Sequence, residues 1–122
     1  RTKESLEKAL KEIARVEKIF WSELRIPGDA DTLNIELEKA LRLLDFIEIG
    51  RLMAYDALNR EESCGGHFRE EHQTEEGEAK RDDENFSYVA CWKYTGQGQE
   101  PELIKEDLNY QYIKVQQRNY KN

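Results

Sequence analysis

Methionine, proline and cysteine are scarce in this chain of 122 residues: one Met, two Pro and two Cys. Pro27 and Pro101 are the two prolines, so no ring interrupts a helix anywhere between them. Cys64 and Cys91 are far apart and form no Cys-x-x-Cys pair, which argues against a disulfide framework and for a reducing, cytosolic compartment. No apolar run approaches a membrane span, and the first residues do not follow a signal-peptide pattern. No Lys/Arg run is long enough to seek an anionic membrane. The charge excess has the other sign: 26 acidic against 19 basic residues give a net charge of −7, which repels phosphate backbones and sets nucleic acid aside as a partner. No glycine-rich loop follows a strand, so no dinucleotide fingerprint is present. Asn85-Phe86-Ser87 matches a glycosylation acceptor, but that tripeptide is common by chance and needs a secreted context.

What is present is mainly helical periodicity. Leu6, Leu10, Ile13, Phe20 and Leu24 recur on one face of an amphipathic helix over residues 2–24, with Val16 at its edge. Thr2 is placed to cap its start and Pro27-Gly28 ends it. Residues 32–62 read as helix, capped by Asp29 or Asp31, either as one rod or as two with a break near Asp45. Leu33, Leu37, Leu41 and Leu44 form one stripe. Phe46, Ile47, Ile49, Leu52 and Met53 then crowd apolar groups onto several faces, as in a helix that touches more than one neighbour. Gly50 inside that helix suggests close approach by another backbone. Gly65-Gly66 is expected to stop the helix.

Beyond the glycines, residues 67–83 are charged and irregular, with Asp82 or Asp83 capping one short helical turn. The period then changes. Phe86, Tyr88, Ala90, Trp92 and Tyr94 alternate with Ser87, Val89, Cys91 and Lys93 as a strand, residues 95–99 turn, and Leu103, Ile104 and Leu108 return. Residues 110–115 alternate again as a last strand or extended tail. The expected fold is mainly α: an antiparallel helical hairpin or bundle of about three helices, in the manner of a spectrin repeat, followed by a small C-terminal β-hairpin. One domain over 1–122 is expected, with the bundle at 1–64, a motif loop at 65–85 and the hairpin and tail at 86–122.

The stretch around Cys64, His67 and His72 invites two chemical readings. Structural zinc wants four ligands in tight pairs; Cys64-x-x-His67 is one acceptable pair, but Cys91 has no partner at short spacing. A nucleophilic Cys64 would need a lowered thiol pKa, whereas the negative end of a helix, where the expected helix end places it, raises one. Acidic pairs such as Glu61-Glu62 and Asp82-Asp83 read as solvated surface in so acidic a chain. The remaining reading is recognition: glycines that permit close backbone approach, with His67, Arg69, Arg81, Asp82 and Asp83 offering directional bonds to another surface.

Two ordered motifs carry a resemblance. Ala57-Leu58-Asn59-Arg60-Glu61-Glu62-Ser63-Cys64-Gly65-Gly66-His67-Phe68-Arg69-Glu70, followed by Arg81-Asp82-Asp83-Glu84-Asn85-Phe86, resembles the C-terminal domain of the flavoprotein subunit of succinate dehydrogenase and fumarate reductase. L-aspartate oxidase shares a related domain. The likeness covers nearly the whole chain, to a hairpin ending near Gln117-Arg118. The commoner motif has Arg where this chain has Cys64 and often Ala or Leu where it has Gly66; the Cys-Gly-Gly-His form resembles a branch in membrane-bound enzymes of some anaerobes and actinobacteria.

The resemblance implies a segment of a longer chain, in keeping with a start at Arg1. It implies that FAD, substrate groups and the proton-delivering arginine belong to preceding flavin-binding and capping domains, in a parent that interconverts fumarate and succinate and passes electrons through an iron–sulfur subunit to quinone. On that reading the fragment of this oxidoreductase holds no catalytic, cofactor or metal residues and is inert alone. Ser63, Cys64, Gly65, Gly66, His67, Arg69, Arg81, Asp82 and Asp83 then serve packing against the flavin domain. The expected partners are the flavin-binding and capping domains of the parent, with the iron–sulfur subunit a further candidate. The parent is expected to be peripheral on the cytoplasmic face of the inner membrane. An exposed apolar patch around 46–53 or on the hairpin is expected, and with it homodimerisation in isolation. The alternatives are a free-standing helical interaction module and a small zinc-binding protein.

Overall fold

Residues 1–29 and 31–117 are described by a computed structural model. The chain forms two compact units: one takes Arg1–Glu61 with Arg69–Glu71, the other takes Glu62–Phe68 and the chain from His72 onward. Arg118, the expected end of the hairpin, lies outside the described residues.

In the first unit, α1 runs Lys3–Glu23 and α2 runs Ile35–Asn59. Thr2 is the N-cap of α1, as expected. Its hydroxyl accepts from the Ser5 amide, and the Ser5 hydroxyl accepts from the Thr2 amide, so two orphan donors of the first turn are satisfied reciprocally. The connection to α2 is more structured than the sequence suggested. The Asp29 carboxylate accepts from the Asp31 and Thr32 amides and from the Thr32 hydroxyl. The Thr32 hydroxyl bond, then the Asp31 amide, lowers its pKa. The N-cap of α2 is Asn34, not Asp29 or Asp31: its side-chain oxygen accepts from the Glu36 and Leu37 amides while its amide nitrogen donates to Pro27 O at 3.0 Å. Gly28 makes this possible. Its φ of +109° is closed to L side chains, and a Cβ there would stand 2.7 Å from Asn34 Nδ2.

α2 is one helix, with no break at Asp45. It stops at Asn59, with Arg60 as C-cap, before the glycines rather than at them. The seam with α1 also differs from the leucine stripe. Leu6 of α1 and Ala40, Ile47 and Ala57 of α2 are the buried apolar residues, while Leu33, Leu37 and Leu41 are exposed. With α2 apolar on several sides, periodicity alone could not say which side packs; Ile47, beside Ile13 and Val16 of α1, marks it. Among the described residues no neighbouring backbone closes on Gly50: beyond its own helical turn, a Cβ there would meet no atom within 4 Å.

The second unit holds the third helix, α3, a single turn over Asp83–Phe86 capped by Asp82, whose carboxylate accepts from the Asn85 amide. The helical hairpin therefore consists of α1 and α2, and the third helix of the expected three is this turn. β1 (Tyr88–Lys93) pairs antiparallel with β2 (Glu102–Asp107), Cys91 opposite Ile104 and Trp92 opposite Leu103. Tyr88, Ala90 and Trp92 are half-buried and Val89, Cys91 and Lys93 exposed, the alternation read from sequence. Lys105 lies 4.2 Å over the Tyr88 ring. Phe86 closes α3 instead of opening the strand, and residues 110–115 form no strand. Among the described residues no helix is long and apolar enough to cross a membrane.

Two glycines give opposite expectations. Gly28→Ala should lower stability by about 1–2 kcal/mol because its φ becomes strained. Gly50→Ala should raise it by about 1 kcal/mol, since a methyl there fits and favours helix. Urea unfolding of the two variants beside the parent chain measures both signs.

Candidate functional site

The motif stretch is divided between the two units. In the first, residues 69–71 run back along the open end of the α1–α2 hairpin. α2 has no basic residue in its own last turn. Arg69, only 2% exposed, supplies that charge: its Nη1 donates to Ala57 O at 2.9 Å and Leu58 O at 3.3 Å. The Arg60 amide donates to Asp56 O, and the Asn59 side chain to Tyr55 O. The carbonyls of residues 55–58 are thus all satisfied at a helix end that ordinarily leaves such groups unpaired. A guanidinium against the negative end of the helix dipole adds to the hydrogen bonds.

The next two residues hold the other helix. The Glu70 amide donates to Arg1 O at 2.9 Å, and the Lys3 amide, one of α1's orphan donors, donates to a Glu71 carboxylate oxygen. The second oxygen of Glu71 accepts from Arg69 Nε at 3.3 Å. The Lys3 amide bond, with a smaller effect from Arg69, depresses the Glu71 pKa from 4.5 to about 2. Arg69 was expected to face a neighbouring surface; the structure turns it inward onto its own helix.

In the second unit, Cys64 and His67 exchange both backbone hydrogen bonds, 2.8 and 3.0 Å, across a two-residue turn of Gly65 and Gly66. Gly65, at φ +57°, takes the left-handed conformation that glycine accepts at no steric cost. Cys64 is therefore a turn residue five positions beyond the helix, so the helix-end argument about its thiol does not apply. Ser63 is fully buried and its amide donates to Lys80 O at 2.9 Å. Residues 72–80, read as irregular, fold back on themselves: Lys80 donates to His72 O, Thr74 to Glu78 O, and Gln73 bridges Ala79.

Glu62 was read as solvated surface. It is 2% exposed, and its carboxylate accepts from the Asp82 amide at 3.0 Å. Asp82 caps α3, and Arg81 Nε bonds Asp83 at 2.9 Å. The Asp83 bond raises the Arg81 pKa, with smaller contributions from Cys64 and Glu62. Arg81 also donates to Gln116 O, and the Gln117 side chain to Ala79 O. These ties make residues 62–64, 79–83 and 116–117 one polar cluster. Glu62 was missed because an acidic pair on a helical pattern looks solvated; its place between Arg60 and Ser63 in the motif was the available signal. Among the described residues no three His, Cys, Asp or Glu side chains converge to hold a metal, and Cys91 is exposed on β1.

The sequence profile of the family described as fumarate reductase flavoprotein C-term matches residues 1–120. A fumarate reductase flavoprotein subunit of Serratia sp. (strain ATCC 39006) is 29% identical over 120 residues, which are 98% of this chain and 19% of that protein. The chain thus spans about a fifth of that relative's length.

Arg69→Ala should cost about 2–3 kcal/mol, because it strands two helix carbonyls and removes a charge from a buried site. Thermal unfolding measures it, and a change within 0.5 kcal/mol, typical of a surface substitution, would contradict the capping role. Glu71 has a pKa lowered in the folded state, so its contribution is present above its ordinary value of 4.5 and is lost as pH falls toward about 2. The melting difference between the wild-type chain and Glu71→Gln should be largest above pH 4.5 and shrink through that window.

Proposed function

The chain belongs to the family of fumarate reductase flavoprotein C-terminal domains, and from that premise we propose that it is a packing domain of a flavoprotein that interconverts fumarate and succinate. The observation that carries the reading is how its motif is used. Arg69 is spent on the end of α2, Glu62 on the Asp82 amide, Asp82 on α3 and Arg81 on Asp83. Charged groups so engaged secure local structure, which supports a packing role over that of acid, base or substrate clamp.

FAD belongs to the parent on this reading. The residues here do not fit it: Gly65 and Gly66 are the centre of a tight turn closed by Cys64 and His67, not a strand-to-helix loop whose amides face a phosphate. The partners are the flavin-binding and capping domains of the same chain, with the iron–sulfur subunit a further neighbour. The parent sits on the cytoplasmic face of the inner membrane.

Two measurements test the reading. The gene should encode a flavin-binding segment ahead of Arg1, and its absence would remove the parent. Purified chain mixed with FAD and a reduced dye should show no fumarate-dependent oxidation. Turnover above the protein-free background would make the domain catalytic in its own right.

A further inference from the structure

α2 carries apolar side chains on three sides. Ala40 and Ile47 are buried on one side, where Ile47 meets Ile13 and Val16 of α1 around a hollow. At 3.6 residues per turn, Phe46, Ile49 and Met53 stand one above another on a second side, and Leu37 and Leu41 on a third. All five are exposed, Phe46 and Met53 at 66% and 65%. A helix with apolar groups on three sides touches more than the one neighbouring helix provided here.

Beside Phe46 the seam opens into a hollow of about 300 Å³, lined by Glu12, Ile13 and Val16 of α1 and by Leu43, Phe46, Ile47 and Gly50 of α2; the Glu12 carboxylate is paired with Arg15. Gly50 sits mid-helix, where glycine costs stability, and no positive φ demands it. A Cβ on it would meet nothing within 4 Å. The missing side chain keeps the hollow open.

A second copy of the chain is a poor occupant. Two-fold pairing buries the same patch on both copies, so pairing along Phe46, Ile49 and Met53 leaves the side of Leu37 and Leu41 bare. A longer chain can cover both sides, and the Serratia relative is about five times the matched length. We infer that the hollow beside Gly50 is a socket for an apolar side chain from the flavin-binding part of the parent chain, docked along Phe46, Ile49 and Met53. This rests on the packing reading above and adds the face on which packing occurs.

Met53, the single methionine of this chain, reports on that face. Dilute hydrogen peroxide converts an accessible methionine to its sulfoxide, and peptide mass spectrometry gives the rate. Met53 should be oxidised several-fold more slowly in the full-length flavoprotein than in the isolated chain. Gly50→Leu, which fills the socket, should return the full-length rate toward that of the isolated chain, while the isolated variant keeps its helical circular dichroism. Equal rates in the isolated chain and in a full-length, flavin-binding parent would overturn the socket and leave the packing reading standing. A gene without a flavin-binding segment ends both. Protection of Met53 in the isolated chain that rises with protein concentration, matched by dimer in sedimentation, assigns the face to a second copy and overturns the inference.

Discussion

Three consecutive residues hold the helical unit together at its open end. Two antiparallel helices joined by one loop are tied at the loop and free at the far end, where α2 leaves its last carbonyls and α1 its first amides unpaired. Arg69, Glu70 and Glu71 return to that end from outside the hairpin and add partners in both sets that the Thr2–Ser5 box and the Asn59 and Arg60 bonds do not supply. Arg69 takes the carbonyls of Ala57 and Leu58, Glu70 reaches Arg1 O, and Glu71 takes the Lys3 amide. A cation is placed on the negative end of one helix and an anion on the positive end of the other, and Arg69 and Glu71 also bond each other. Each element serves twice.

The division of the motif follows from this clasp. The chain leaves α2, makes the Cys64–His67 turn within the second unit, and comes back for three residues before rejoining that unit. A tight turn is what such a detour requires, and glycine at φ +57° supplies it. Cysteine at position 64 contributes through its backbone, with both its amide and its carbonyl in the turn.

Most local features were legible in the sequence and distant ones were not. Thr2 was placed as a cap, and Asp82 as one of two candidates with Asp83, because capping depends on residues two or three apart; the same signal pointed to Asp29 or Asp31 for α2, whose cap is Asn34. The β1 face was read from alternation, and the Arg-Glu-Glu-Ser and Arg-Asp-Asp motifs led to the right family. The sequence offered a leucine stripe and a crowded apolar stretch on α2 without saying which faces α1, because both satisfy a helical period and only the position of α1 selects between them. The end of α2 was set at the glycines because they are strong stop signals; Arg69, ten residues past Asn59, caps the helix earlier, and no local rule reveals that. Glu62 reads as solvated surface and Arg69 as a contact to another surface for the same reason: their burial depends on Asp82 and Ala57, which are not sequence neighbours.

If the clasp holds the hairpin, the amides it engages should open only with the helices themselves. Native-state hydrogen exchange on the 122-residue chain tests this at two amides, Lys3 and Glu70, which lie on exposed residues outside any helix interior. Both should be protected to the same opening free energy as the Ile47 amide in the middle of α2. Exchange of Lys3 and Glu70 at the rate of an unstructured chain, with Ile47 still protected, would show that the hairpin stands without residues 69–71 and would contradict the account.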